Sequence, residues 1–149
     1  MADNLAQKRQ HLIRAAQSSI QALAEKKPPD VIFSFFPAHI IIHEHGLQQL
    51  APFLGREYRG IQGAEEYFTV LASTIALENG RLVGTFADPE ELKVSVKGEA
   101  TFTWTSTGQS WDEVWTSLLE FDHEYKIKMY EIWASPGAAY LASKGLLNR

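Results

Sequence analysis

Apolar and polar positions alternate with a period of two through residues 111–121: Trp111, Trp115, Leu119 and Phe121 fall on one side, Asp112, Thr116 and Glu120 on the other. That is the signature of a half-buried strand. Residues 122–125 make a turn, and from Lys126 the alternation resumes, with Ile127, Met129 and Trp133 on one face and Lys126 and Lys128 on the other. By this count Glu131 shares the apolar face with Met129 and Trp133. A carboxylate on such a face is either paired or chemically used.

Upstream, residues 3–27 carry Leu5, Leu12, Ile13, Ala16, Ile20, Leu23 and Ala24 at three-to-four spacing, which predicts a long amphipathic helix. Asp3 can cap its start, Lys26 and Lys27 suit the negative end of its dipole, and Pro28-Pro29 stops it. Asp30 can cap a short second helix, VIFSFF, closed by Pro37. Being apolar on both sides, that segment reads as a lid or plug. His39–His45, HIIIHEH, is β-branched at its centre and reads as the first strand. The stretch from Gly46 to Gly60 predicts a loop that carries Phe53, Arg56, Tyr58 and Arg59. Residues 62–78 predict a third helix, with Glu65 and Glu66 in its first turn, an inward stripe of Ala64, Tyr67, Phe68, Leu71, Ala72 and Ile75, and an end at Asn79-Gly80. Strands follow near 81–87 and 92–106, the second broken at Lys97-Gly98; then come the strand pair and a short helix after Pro136.

Helices followed by strands joined through turns predict a single α+β domain over residues 1–149, its helices on one face of a curved sheet. If the helices leave the curve unfilled, a pocket remains on the concave side, which is the default place for a site. Composition narrows the chemistry. With 149 residues and 45% apolar content the chain can build one core. A net charge of −4 and the lack of a basic stripe set nucleic acid aside as a partner. The absence of cysteine excludes a disulfide scaffold, a thiolate nucleophile and a Cys-ligated metal. A polar start, MADNLAQKRQ, and no apolar run of about 18 residues lead to the expectation of a soluble, cytoplasmic protein with no membrane partner. Neither a dinucleotide fingerprint nor a phosphate loop nor a GxSxG elbow occurs, so no cofactor is expected.

The order of elements, the phrase RGIQGAEEYFTVL entering the third helix, and SWDEVWTSLLEFDHEYKIKMYEIWASPGAAYLA near the end resemble the SnoaL-like branch of the nuclear transport factor 2-like superfamily, particularly its small fungal members. The resemblance covers nearly the whole chain. It implies a cone-shaped, cystatin-like fold with a curved mixed sheet and a deep apolar pocket, commonly in a homodimer. Where such proteins are enzymes, it implies cofactor-free acid–base chemistry on polycyclic or polyketide-like molecules. His43 and Glu44 match the end of the first strand, where ketosteroid-isomerase-like members use a carboxylate base. Ser117 stands where those members place a second acid, and Ser135 where many SnoaL-like cyclases have an Asp, so neither role is carried over. Glu131 is retained in the EIW phrase.

Each candidate has a structural reading beside the chemical one. Glu131, if buried, would have a raised pKa and could shuttle a proton; otherwise it is paired, or exposed by a one-residue bulge. Glu113 shares the face of Trp111 and Trp115 but sits near a strand end, where a solvated rim residue is the common outcome. His43 and His45 lie on one side of a strand, and with His39 they raise a metal reading that falls short of a convincing third ligand, so no metal is expected. His43 can instead act as acid or base from its unperturbed pKa of about 6.5. Neighbours on a strand point opposite ways, so either Glu44 or His43 faces inward. Trp104, Trp115, Trp133, Phe102 and Tyr67 are core material or the walls of a pocket for a flat apolar ligand. Phe53 and Tyr58 lie on the loop that would overhang its mouth.

The sequence therefore predicts an isomerase or cyclase acting on a small hydrophobic, multi-ring molecule of secondary metabolism. In that reading Glu131 moves the proton, His43 or Glu44 is its counterpart, and the aromatic residues hold the reactive conformer. A dehydratase with the same pocket is the catalytic alternative. A filled, non-catalytic binding or dimerisation module is the other.

Overall fold

The computed structural model describes residues 2–148. Its elements in chain order are α1 (Ala2–Ala24), α2 (Pro29–Phe33), β1 (Ile41–Glu44), a single 3-10 turn (Gln48–Leu50), β2 (Glu57–Arg59), α3 (Gly60–Thr74), β3 (Ile75–Asp88), β4 (Lys93–Trp104), β5 (Ser110–Phe121), β6 (Ile127–Trp133) and α4 (Pro136–Ser143). The strands form one six-stranded curved sheet in the order β2-β1-β6-β5-β4-β3. β1 runs parallel to β6, and every other neighbouring pair is antiparallel, so the sheet is mixed as expected. Among the described residues no helix is long and apolar enough to cross a membrane.

The predicted stripe of α1 is the face that packs. Leu12, Ala16 and Ile20 are buried on it, and α1 lies against β3 and β4. Burying a side chain the size of Leu12 contributes about 1.5–3 kcal/mol, more than helix propensity can supply over the same turn. The helix ends earlier than expected. Lys26 takes a left-handed conformation (φ 54°), and the Lys27 and Lys26 amides donate to Ala22 and Leu23, a Schellman-type cap built without glycine. The Asp3 side chain, expected to cap the helix, lies outside the described part of the structure. Asp30 lies inside the first turn of α2 and does not cap it. The segment around α2 does plug one end of the core: Ile32 and Phe36 are buried, Phe36 stacks on Phe68, and the Ile127 amide donates to Phe35.

Tertiary pairing overrides three local readings. The chain passes straight from α3 into β3 at Ile75, because Ile75 and Leu77 find cross-strand partners in Trp104 and Phe102. Asn79-Gly80 therefore forms a bulge within β3, with Asn79 at φ 56°, and does not end a helix. Glu65 and Glu66 lie beyond the first turn of α3, and Glu66 pairs with Arg56 at 2.8 Å. The stretch read as a loop holds β2, whose Tyr58 turns inward and is buried.

Gly98 does not break β4. It pairs with Trp115 across the β4–β5 ladder, and the indole lies over it in the space where a Cβ would sit. A Gly98→Ala substitution is expected to lower stability by about 1–3 kcal/mol through overpacking. Urea denaturation measures this, and the penalty should vanish when Gly98→Ala is combined with Trp115→Ala. A loss that persists in the double variant would show that the indole is not the obstacle.

Candidate functional site

The inner face of the sheet carries two carboxylates. Glu44 ends β1 and is only 7% exposed; Glu113 lies on β5 and is only 2% exposed. Alternation places both, since Ile42 and Glu44 share one side of β1, while Glu113, Ser117, Leu119 and Phe121 share one side of β5. Glu113 is thus buried, contrary to the rim position expected for it. Its carboxylate accepts hydrogen bonds from the Trp111 indole N–H at 2.8 Å and from the Val114 amide at 3.1 Å.

Glu44 is held differently. The Tyr67 hydroxyl donates to it at 2.6 Å, and Tyr67 packs edge-on against Tyr58. Burial pushes the Glu44 pKa up to about 7, with Glu113 adding to the rise and the Tyr67 hydrogen bond opposing it. The same burial, with the Glu44 charge beside it, pushes the Tyr67 hydroxyl well above the usual phenol range. The Tyr130 hydroxyl on β6 is raised as well, chiefly by burial. Ser117 Oγ lies beside that hydroxyl but forms no hydrogen bond of good geometry, and so is a buried polar atom without a partner among the described residues.

Glu44 and Glu113 line one hollow, together with Phe53, Leu54, Ile75, Phe102, Trp111, the link Ala134-Ser135, and Pro136 and Ala139 of α4. Its volume is about 10 Å³, room for about one water. Side chains therefore fill nearly all of the concave side in this form. The deep pocket expected from the sequence is closed. Leu54, Pro136 and Ala139 are among the apolar groups that border it.

Glu131 is not part of this site. Glu120 pairs with Met129 and Phe121 with Ile127, leaving Lys128 as the extra residue of a bulge. The bulge inverts the faces, so that Tyr130 and Ile132 turn inward and Met129, Glu131 and Trp133 turn outward. The expected inward carboxylate is corrected accordingly: Glu131 Oε2 accepts from His45 Nε2 at 2.7 Å on the outer face. His43 lies there too, stacked on His45 at 4.0 Å, and His45 stacks on Trp133 at 4.6 Å. Partial burial and the neighbouring His45 lower the His43 pKa, with Glu57 and Glu131 pulling the other way. Between His43 and Glu44, it is Glu44 that faces the interior. Among the described residues no group of three or more His, Asp or Glu side chains is placed to hold a metal ion.

The aromatic residues expected to wall a pocket are dispersed. Phe53 and Phe102 line the hollow. Tyr67 and Tyr58 stand behind Glu44, the Tyr58 hydroxyl donating to the Phe53 carbonyl at 3.3 Å. Trp115 stacks on Phe102 and covers Gly98. Trp104 faces a separate groove beside α4, and Trp133 is 41% exposed on the outer face, so neither walls the Glu44 hollow. Tyr130 escaped the sequence reading because the same bulge shifts it inward; its spacing of two from Ile132 is the only local signal.

Chemically, the arrangement is a carboxyl that can be protonated or ionised near neutrality, with a neutral phenol donor fixed against it. Below pH about 4.5 Glu44 is protonated in folded and unfolded chains alike; between about 4.5 and 7 only the unfolded chain ionises, so stability falls as pH rises through that window. Glu44→Gln should remove this slope and raise stability above pH 7 by up to about 3 kcal/mol. Urea unfolding of both proteins at pH 4 and pH 8 measures it. Equal slopes would place the titrating proton elsewhere.

No family model matches the sequence, and no curated protein matches it either. Solved structures do. A Bacillus subtilis protein described as a candidate isomerase is 12% identical, with 91% of this chain and 94% of the other aligned at a TM-score of 0.77. An NTF2-like protein of unknown function from Burkholderia pseudomallei is 11% identical over 89% and 96%, with a TM-score of 0.75. A candidate SnoaL-like polyketide cyclase from Mesorhizobium loti is 12% identical over 80% and 95%, with a TM-score of 0.63. At such identities the likeness is one of fold, and the chain has the α+β fold of the NTF2-like proteins.

Proposed function

We propose that the protein is an isomerase- or cyclase-type catalyst of proton transfer on a small hydrophobic molecule, with Glu44 as the acid–base group. The observation that carries this reading is a buried carboxyl with a pKa of about 7, lining a hollow together with a second buried acid. A group poised near neutral pH can take a proton from carbon and return it at another position, and a positioned base contributes about 10²–10⁴-fold. Tyr67 would keep the carboxylate oriented, and the apolar walls would hold the substrate where its proton meets Glu44. The similarity to isomerase and cyclase candidates of the same fold is consistent with this class. A dehydratase draws on the same carboxyl. A multi-ring substrate of fungal secondary metabolism rests on the resemblance carried by the RGIQGAEEYFTVL and SWDEVWTSLLEFDHEYKIKMYEIWASPGAAYLA phrases, and it would require the hollow beside Glu44 to widen.

The test uses proton exchange, which does not require the natural substrate. A panel of cyclic β,γ-unsaturated ketones and other carbon acids is incubated with the protein in D2O and followed by NMR. Exchange should exceed the buffer rate, rise with pH through about 7 as Glu44 ionises, and fall about 100-fold or more in Glu44→Gln. No acceleration for any member, or undiminished exchange in the variant, would remove Glu44 from the mechanism.

The filled interior favours a second reading, a dimerisation module. Val114 and Trp133 are 49% and 41% exposed on the outer sheet face, a surface suited to a second copy of the chain. Sedimentation should then give a dimer that Trp133→Glu dissociates. A wild-type monomer counts against this reading.

A further inference from the structure

A larger hollow lies outside the Glu44 site. It is a surface groove of about 420 Å³ between residues 48–52 and the outer side of α4, and it shares no lining residue with the interior hollow. That volume falls in the range of about 300–1,000 Å³ typical of small-molecule sites. Tyr140 supplies aromatic surface beside the edge of the buried Trp104, Leu50 and Pro52 supply apolar surface, and Gln49 can donate hydrogen bonds from its amide.

The charge in this groove is one-sided. Among the described residues Lys144 is its only ionised lining group, in a chain of net charge −4, and no Asp or Glu lines it. Lys144 Nζ lies 5.8 Å from the centre of the Tyr140 ring, within cation–π reach, and among the described residues it has no carboxylate partner. A neutral ligand covering the groove would strip water from this ammonium without compensation, whereas an anionic one would replace the water. A single lysine with no arginine beside it suits one negative charge better than a polyphosphate.

We propose that the groove binds a planar aromatic monoanion, with the rings against Tyr140, Leu50 and Pro52 and the charge on Lys144. The proposal does not depend on the catalytic reading of Glu44.

Anilinonaphthalene sulfonate, an aromatic monoanion, is the probe, titrated at low ionic strength and followed by its emission; the uncharged N-phenylnaphthylamine is the control. The wild-type protein should bind the sulfonate more tightly than the neutral dye. Lys144→Glu should weaken the sulfonate about tenfold and leave the neutral dye unchanged, since a partly desolvated charge contact is worth more than an exposed ion pair. Tyr140→Ala should weaken both dyes, and Glu44→Gln neither. Near-UV circular dichroism confirms that each variant is folded, because these dyes also bind loosened cores. Equal affinity of the two dyes for the wild type, or sulfonate binding unchanged in Lys144→Glu, would overturn the proposal. Loss of binding in Glu44→Gln would overturn it too, by placing the dye in the interior hollow.

Discussion

The parallel pairing of β1 with β6 is the contact on which the interior depends. It sets Glu44 beside Ile132, residues far apart in the chain, and inserts β1 into the sheet between β2 and β6. A short strand such as β1 has little stability alone; its hydrogen bonds to two neighbours and the burial of Ile42 hold it. Once it is held, strand alternation leaves Glu44 no choice but to face inward. Tyr67 on α3 then supplies the hydrogen bond that a carboxyl in that position needs.

The interior combines two features that stability alone would not favour together. Its space is nearly filled, yet it contains two acids and a serine hydroxyl without a good partner. An apolar residue at Glu44 would avoid a desolvation cost of several kcal/mol. A carboxyl there, with its proton binding moved to near neutrality, is consistent with the proton-transfer role proposed for it. Phe53, Leu54 and the start of α4 border the hollow, which at about 10 Å³ has room for about one water.

The outer face follows a different logic. Glu131, His45, His43 and Trp133 form a stacked and ion-paired row that needs no interior space. His43 sits opposite Glu57 and Glu131 in the neighbouring strands, and His45 is bonded to Glu131, which offsets the cost of placing two imidazoles in contact. These groups lie across the sheet from Glu44.

Local pattern was enough to identify α1, the β5–β6 pair, the α+β class and the rule that only one of His43 and Glu44 can face inward. Those features depend on side-chain periodicity, which a linear chain displays directly. The face of Glu131 was beyond it, because a single extra residue at Lys128 inverts every later position of β6, and a bulge is fixed by the neighbouring strand. The start of β3 at Ile75 and the continuity of β4 through Gly98 were likewise decided by Trp104, Phe102 and Trp115, cross-strand partners remote in sequence. The burial of Glu113, the pKa of Glu44 and the closure of the hollow depend on how elements meet in three dimensions, where desolvation is set by atoms that no local window contains.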